Sequence, residues 1–261
     1  MRSIAPVTMV AVALLLALSA CIGGGRATGR EARPEQPNFH YQLGIAALQD
    51  NKPQDAVVEF NQALRADRKD TRVIYGLGHA YFIIQNYDAA REQMERLIEL
   101  DPENGDAVNY LGNILEKQGR EEEAIATYER AMSMPTYRSV HLPMHNLSRI
   151  YLARGDWARA EKMLIQALRR VPEYLAGIAD LAHIYLNRSM WPEAVTQWDL
   201  FTKLAPKAPD GHFFLATALA GDGKTVAARL AIGEYFRVAG TDHPLYADAT
   251  ALRDRLDEQV R

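Results

Sequence analysis

Apolar residues recur along this chain with a short period nested inside a long one. From Thr71 to Asn104 the sequence reads TRVIYGLGHAYFIIQNYDAAREQMERLIELDPEN. Ile74, Leu77, Gly78 and Tyr81 stand at i, i+3, i+4 and i+7, which is one face of a helix. Ala90, Met94 and Leu97 stand at i, i+4 and i+7 and predict a second helix. Gln85-Asn86-Tyr87-Asp88 supplies a turn and an N-cap between them. Asp101-Pro102 ends the second helix, because proline lacks an N–H and disfavours helix in the residue before it.

The same thirty-four-residue template recurs along the chain. The copy before has Leu43, Gly44, Ala56 and Phe60; the copy after has Leu111, Gly112, Ala124 and Tyr128. After Met134 the spacing gains two residues, then resumes with Leu147, Ser148, Ala160 and Leu164. A fifth copy carries Leu181, Ala182, Ala194 and Trp198, and a weaker sixth carries Leu215, Ala216, Ala228 and Ile232. Small residues at the eighth and twentieth positions predict two helices that approach closely, with a large residue at the twenty-fourth filling the space beside them. No single pair buries its apolar faces alone, so stability comes from stacking.

This pattern resembles the tetratricopeptide (TPR) family from about Pro37 to Gly240. The resemblance implies an all-α, right-handed superhelical solenoid of about six helix-turn-helix repeats, at residues 37–70, 71–104, 105–140, 141–174, 175–208 and 209–240. Residues 241–261 follow. Leu245, Ala249, Leu252 and Leu256 share one face there and predict a C-terminal capping helix.

The N-terminus is of another kind. Arg2 precedes an apolar run from about Pro6 to Leu18, too short to span a bilayer comfortably, which reads as a secretory signal over residues 1–20. Leu18-Ser19-Ala20-Cys21 resembles the lipobox of bacterial lipoproteins, which implies cleavage before Cys21 and lipid attachment to it. An ordinary signal peptide with a chance cysteine, or an anchor helix, are the other readings. Cys21 is the sole cysteine, so no disulfide is available to the rest of the chain. Residues 21–36, with Gly23-Gly24-Gly25 and Pro34, read as a flexible tether spanning roughly 20–25 Å on average.

Charge excludes one class of partner. The full chain stands at −3, and loss of Arg2 with the signal leaves −4. Acidic and basic residues are interspersed without a basic block, which argues against nucleic acid. Chemistry finds little support. His141 and His145 have a spacing able to chelate a metal, but Pro143 lies between them and no third ligand is near. Gly221-Asp222-Gly223-Lys224 lacks the glycine spacing of a phosphate loop, and the stretch from Asp101 to Asp106 lacks that of a calcium loop. No nucleophile set is present. The expectation is a protein that is not an enzyme, with no cofactor or metal beyond covalent lipid on Cys21, and no small-molecule substrate.

A groove is the candidate working surface. The fifth, ninth and twelfth positions of each first helix are rotated about 100° from the packing stripe, and in TPR proteins such positions line the concave face. The residues proposed to meet a partner are Tyr41, Tyr75, His79, Phe82, Asn109, Asn113, Arg149 and His183. For Ile45, Leu48 and Phe82, packing on the next repeat's first helix is the other reading, an equal one for the two aliphatics. Asn113 and Arg149 are similar to part of a clamp that holds a peptide carboxylate in some TPR domains. The lysines of that clamp are missing, with Tyr41 and His145 at comparable positions, and its function is not carried over.

Lipobox, tether, six repeats and the Pro135-Thr136-Tyr137 insertion together resemble the type IV pilus biogenesis and stability lipoproteins, the pilotins of the PilF, PilW and Tgl type. YQLGIAALQDNKPQDAVVEFNQAL, HNLSRIYL and WDLFTKLAP carry the resemblance. It implies an outer-membrane lipoprotein facing the periplasm, membrane-attached through its lipid, that promotes assembly or localisation of the pilus secretin. Ile22 after Cys21 is compatible with outer-membrane sorting. The alternative is a TPR lipoprotein scaffold serving another envelope assembly or polysaccharide export machine.

Overall fold

The computed structural model describes residues 37–259. The expected signal peptide, lipidation of Cys21 and tether fall outside the described residues. Within them the chain forms thirteen helices and no strand. Twelve pair in order: α1 (Pro37–Gln49) with α2 (Pro53–Ala66), α3 (Thr71–Ile83) with α4 (Tyr87–Leu100), α5 (Gly105–Lys117) with α6 (Glu121–Ser133), α7 (His141–Ala153) with α8 (Trp157–Arg170), α9 (Leu175–Asn187) with α10 (Trp191–Leu204), and α11 (Pro209–Gly221) with α12 (Thr225–Val238). A single helix, α13 (Tyr246–Glu258), closes the series. Each helix packs chiefly on its neighbours in sequence, which is the one-dimensional order of a solenoid.

The turn within each pair has one solution used six times. Its fifteenth-position residue is left-handed: Asn51, Gln85, Gly119, Gly155, Ser189 and Gly223 have φ between 55° and 73°. The amide after it donates back into the last turn of the first helix, as from Asn86 N to Tyr81 O at 2.9 Å and from Arg120 N to Leu115 O at 2.9 Å. This is a Schellman ending, which favours glycine or asparagine at the left-handed site. Gln85 and Ser189 bear a Cβ there, at a cost of about 1–2 kcal/mol before glycine's extra unfolded-state entropy is counted against it. Gln85→Gly and Ser189→Gly should each raise stability by a few tenths to about 1 kcal/mol. Equal or lower denaturation midpoints for both variants would show that local bonds already offset the strain.

The helix pairs close as the small residues require, with one change of partner. Ala56, Ala90, Ala124, Ala160, Ala194 and Ala228 are all fully buried. The glycines at position eight, however, seat the large residue of position twenty-four more directly than they face these alanines. A Cβ on Gly44 would lie 2.5 Å from the Phe60 ring, and one on Gly112 would lie 2.5 Å from the Tyr128 ring. The bare backbone is what lets each ring enter. The insertion between α6 and α7 is filled in the same way: the buried Tyr137 ring lies against Gly105, where a Cβ would overlap it.

Side chains on the turn edge tie successive pairs. Gln118 donates to Asp88 at 2.8 Å, Arg154 donates to Glu121 and Glu122 at 2.6 Å each, and Arg188 donates to Glu161 at 2.6 Å. Exposed contacts of this kind contribute about 0–1 kcal/mol each, so they set register more than stability. The stack then ends at α13. Ala249, Leu252 and Leu256 are buried against it. Arg253 stands where the other first helices carry glycine, serine or alanine, with its guanidinium 5.2 Å from the centre of the Phe236 ring.

Candidate protein-interaction face

The face formed by α1, α3, α5, α7, α9 and α11 gathers the residues proposed for binding, and a second set lies beside them. Tyr75, His79 and Phe82 on α3 surround Tyr110 of α5, at ring-centre distances of 5.6, 5.6 and 5.4 Å. All four are half-buried. Tyr41 stands apart from them, 6.1 Å from Phe60 and under the Arg72 guanidinium at 5.1 Å. Ile45, Leu48 and Phe82 are partly buried against the core, as are Tyr41 and Tyr75.

The polar centre of the face is more enclosed than its residue types suggest. Asn109 is only 7% exposed. Asn146 Nδ2 donates to Asn109 Oδ1 at 3.2 Å and to Asn113 Oδ1 at 2.8 Å. The Tyr128 hydroxyl donates to the same Asn113 oxygen at 2.6 Å. Asn109 is therefore a seam residue joining α5 to α7 and is corrected out of the partner-contacting set. Asn113 is half-buried in the same network. Arg149 remains exposed, with Glu116 3.5 Å away. His183 is half-buried between aromatic rings, 4.9 Å from Trp198 and 4.5 Å from Phe214.

Burial sets the protonation of this face. It holds the His79 imidazole below the ordinary histidine range. His183 is lowered by burial as well, against a weaker opposing pull from Asp180 and Asp210. The Tyr75 hydroxyl is raised by burial first and by Asp106 second, and Tyr110 is raised mainly by burial. At neutral pH the wall therefore offers uncharged rings, with Arg149 as its exposed cation.

His145 has both ring nitrogens engaged, Nε2 with Asp180 at 2.8 Å and Nδ1 with the Tyr174 hydroxyl at 3.0 Å. Among the described residues no group of three or more histidine, cysteine, aspartate or glutamate side chains could hold a metal ion.

Tyr110, Asn146, Asp180 and Phe214 were not marked by the sequence pattern. Each is the sixth residue of its helix, and each meets fifth- or ninth-position residues of the first helix before it. Their chemistry differs from repeat to repeat, so hydropathy does not reveal them. Their constant place in the thirty-four-residue frame was the available signal.

TPR family models match residues 47–99, 75–134 and 105–173. Lipopolysaccharide assembly protein B of Escherichia coli K12 is 24% identical over 191 residues, which is 71% of this chain and 46% of that protein. The chain thus spans less than half the length of the curated relatives first matched. Among solved structures, PilW, a type IV pilus biogenesis factor, superposes with a TM-score of 0.64 at 17% identity, covering 86% of this chain and 98% of that one. PilF of Pseudomonas aeruginosa superposes with a TM-score of 0.68 at 19% identity, covering 82% of this chain and 96% of that one. At these identities the likeness establishes the fold, which is typical of non-enzymatic interaction proteins. The stacked helix pairs, the seated rings and the family matches together make this chain a tetratricopeptide-repeat protein with an all-α solenoid fold.

Proposed function

We propose that this protein is an outer-membrane lipoprotein, held by lipid on Cys21 and facing the periplasm, whose TPR stack assists assembly or localisation of the type IV pilus secretin. The observation that carries the reading is the near end-to-end match in length with PilW and PilF, 98% and 96% of those chains. The lipobox-like Leu18-Ser19-Ala20-Cys21 supports the anchor. The stack acts as a scaffold and not as an enzyme. Half-buried rings already fixed by their neighbours offer apolar surface at little further entropy cost. A second reading, a scaffold for another envelope assembly machine, is favoured by the similarity to lipopolysaccharide assembly protein B over 191 residues.

Tyr75→Ala combined with His79→Ala tests the face. Aromatic anchors contribute about 2 kcal/mol or more each at interfaces, so affinity for the secretin should fall more than about tenfold. Cells should then show fewer heat-resistant secretin multimers at normal lipoprotein levels. Both side chains also pack on Tyr110, so the melting temperature of the purified variant must be shown to remain above the assay temperature. Exposed Glu129→Ala is the neutral control. Normal multimers in the groove variant would move the working surface elsewhere. Normal multimers in a complete deletion would end the pilotin reading and leave the envelope scaffold.

A further inference from the structure

The two ends of the solenoid are finished differently. In the first helices from α3 to α11 the third residue, Val73, Ala107, Pro143, Gly177 or Gly211, is buried, and Gly177 and Gly211 lie against Leu168 of α8 and Phe201 of α10, each in the preceding second helix. Val73 and Leu77, the third and seventh residues of α3, are 1% and 2% exposed. In α1 the same positions are Phe39 and Leu43, and no helix precedes them among the described residues. Phe39 is 57% and Leu43 38% exposed, and Ala46, one turn on, is exposed too. This is half of a packing seam, built with seam residues and left open.

The charge pattern separates the ends further. The α1 sequence, PNFHYQLGIAALQ, contains no aspartate, glutamate, lysine or arginine, whereas every other helix contains at least one. Its His40 pairs with Glu59 of α2 at 2.6 Å. At the other end α13 presents exposed Asp248, Arg253, Asp254 and Arg255. A helix without fixed charge enters a low-dielectric layer at a smaller desolvation cost than α13 would meet, and the exposed Asp50–Lys52 pair that follows α1 marks where the uncharged stretch stops.

We propose that the open face of α1 rests in the interfacial layer of the lipid bilayer, with Phe39 and Leu43 among the headgroups and upper acyl chains. The proposal builds on the lipid anchor read at Cys21. Fifteen residues, 22–36, separate that cysteine from Pro37. Even fully extended they reach at most about 55 Å, so α1 is the helix kept nearest the membrane. A second copy is a poorer occupant, because a stable dimer needs about 20–30 residues a side and this seam offers one helical stripe. Shallow insertion of an uncharged aromatic and aliphatic stripe is what an interface accepts. The contact would orient the stack, leaving attachment to the lipid.

The test uses the full lipidated chain in phosphatidylcholine vesicles, with Phe39→Trp as reporter and Val226→Trp, 70% exposed on α12, as control. Mass spectrometry first establishes whether Cys21 carries lipid. If it does, the emission that the indole at 39 adds over the parent chain, which carries Trp157, Trp191 and Trp198, should lie at shorter wavelength and be mostly lost to lipids brominated high on the acyl chain, while that added at 226 stays unquenched. Adding Leu43→Asp should relieve the quenching. An unquenched indole at 39 in lipidated protein overturns the proposal, whether that face is then bare, covered by another protein or, by light scattering, covered by a second copy. Equal quenching at 39 and 226 overturns it too, since no end would be preferred. A Cys21 without lipid overturns the anchor reading itself, and this proposal with it.

Discussion

Trp198→Ala should destabilise the solenoid by about 3–5 kcal/mol, the range for truncating a buried aromatic. Trp198 is 1% exposed and stacks on Phe214 at 5.0 Å, with Phe201 at 5.3 Å and His183 at 4.9 Å. Its removal would leave a cavity shared by α9, α10 and α11, and rings anchored on three helices cannot all collapse into it. Trp198→Phe should cost much less. It keeps an aromatic ring and deletes an indole N–H that is buried without a partner, a group that costs about 1–3 kcal/mol while unsatisfied. Equilibrium denaturation of the two variants checks the ordering. Equal losses would mean that the pocket closes without its ring.

Ala124→Trp should be worse than Glu122→Trp by at least the ~1–3 kcal/mol typical of overpacking. Ala124 is fully buried at the contact between α5 and α6, whereas the Glu122 side chain is 81% exposed. The space beside Ala124 is already taken by the Tyr128 ring seated on Gly112, so an indole has no cavity to enter. Glu122 shares Arg154 with Glu121, so its loss removes one of two contacts at the surface. In a chain of this size 1 kcal/mol moves the melting temperature by about 2–4 °C, so the two variants should separate clearly. Coincident melting curves would place the repeat register one helical face away.

What the sequence made legible was whatever recurs with the same residue type. Ala124 and its five counterparts, the glycines at position eight and the large residues at position twenty-four repeat in kind, and the structure buries them. The left-handed turn site was visible as glycine at 119, 155 and 223 but hidden at Gln85 and Ser189, where the backbone demand is met by residues that do not advertise it. The face itself was read only in part. Tyr75, His79 and Phe82 do stand together, yet the ring that gathers them, Tyr110, has no chemical equivalent in the neighbouring repeats. Asn109 looked available because asparagine is polar. Whether a polar group faces a partner or another amide depends on the opposite helix, and no periodicity within one repeat reports that.

The turn-by-turn economy of the stack also bears on how the chain is made. Gly44 receives the Phe60 ring, Gly78 the Met94 methyl and Gly112 the Tyr128 ring, each from sixteen residues downstream. Contacts so local in sequence keep loop-closure entropy small and folding fast. Each hairpin can close as soon as its second helix has emerged, and the next can dock on it without waiting for the C-terminus. A polypeptide delivered end first, whether by synthesis or by threading across a membrane, can thus acquire structure in the order in which it arrives. Tyr137 on Gly105 and Trp191 on Gly221 are longer closures, each spanning about one repeat.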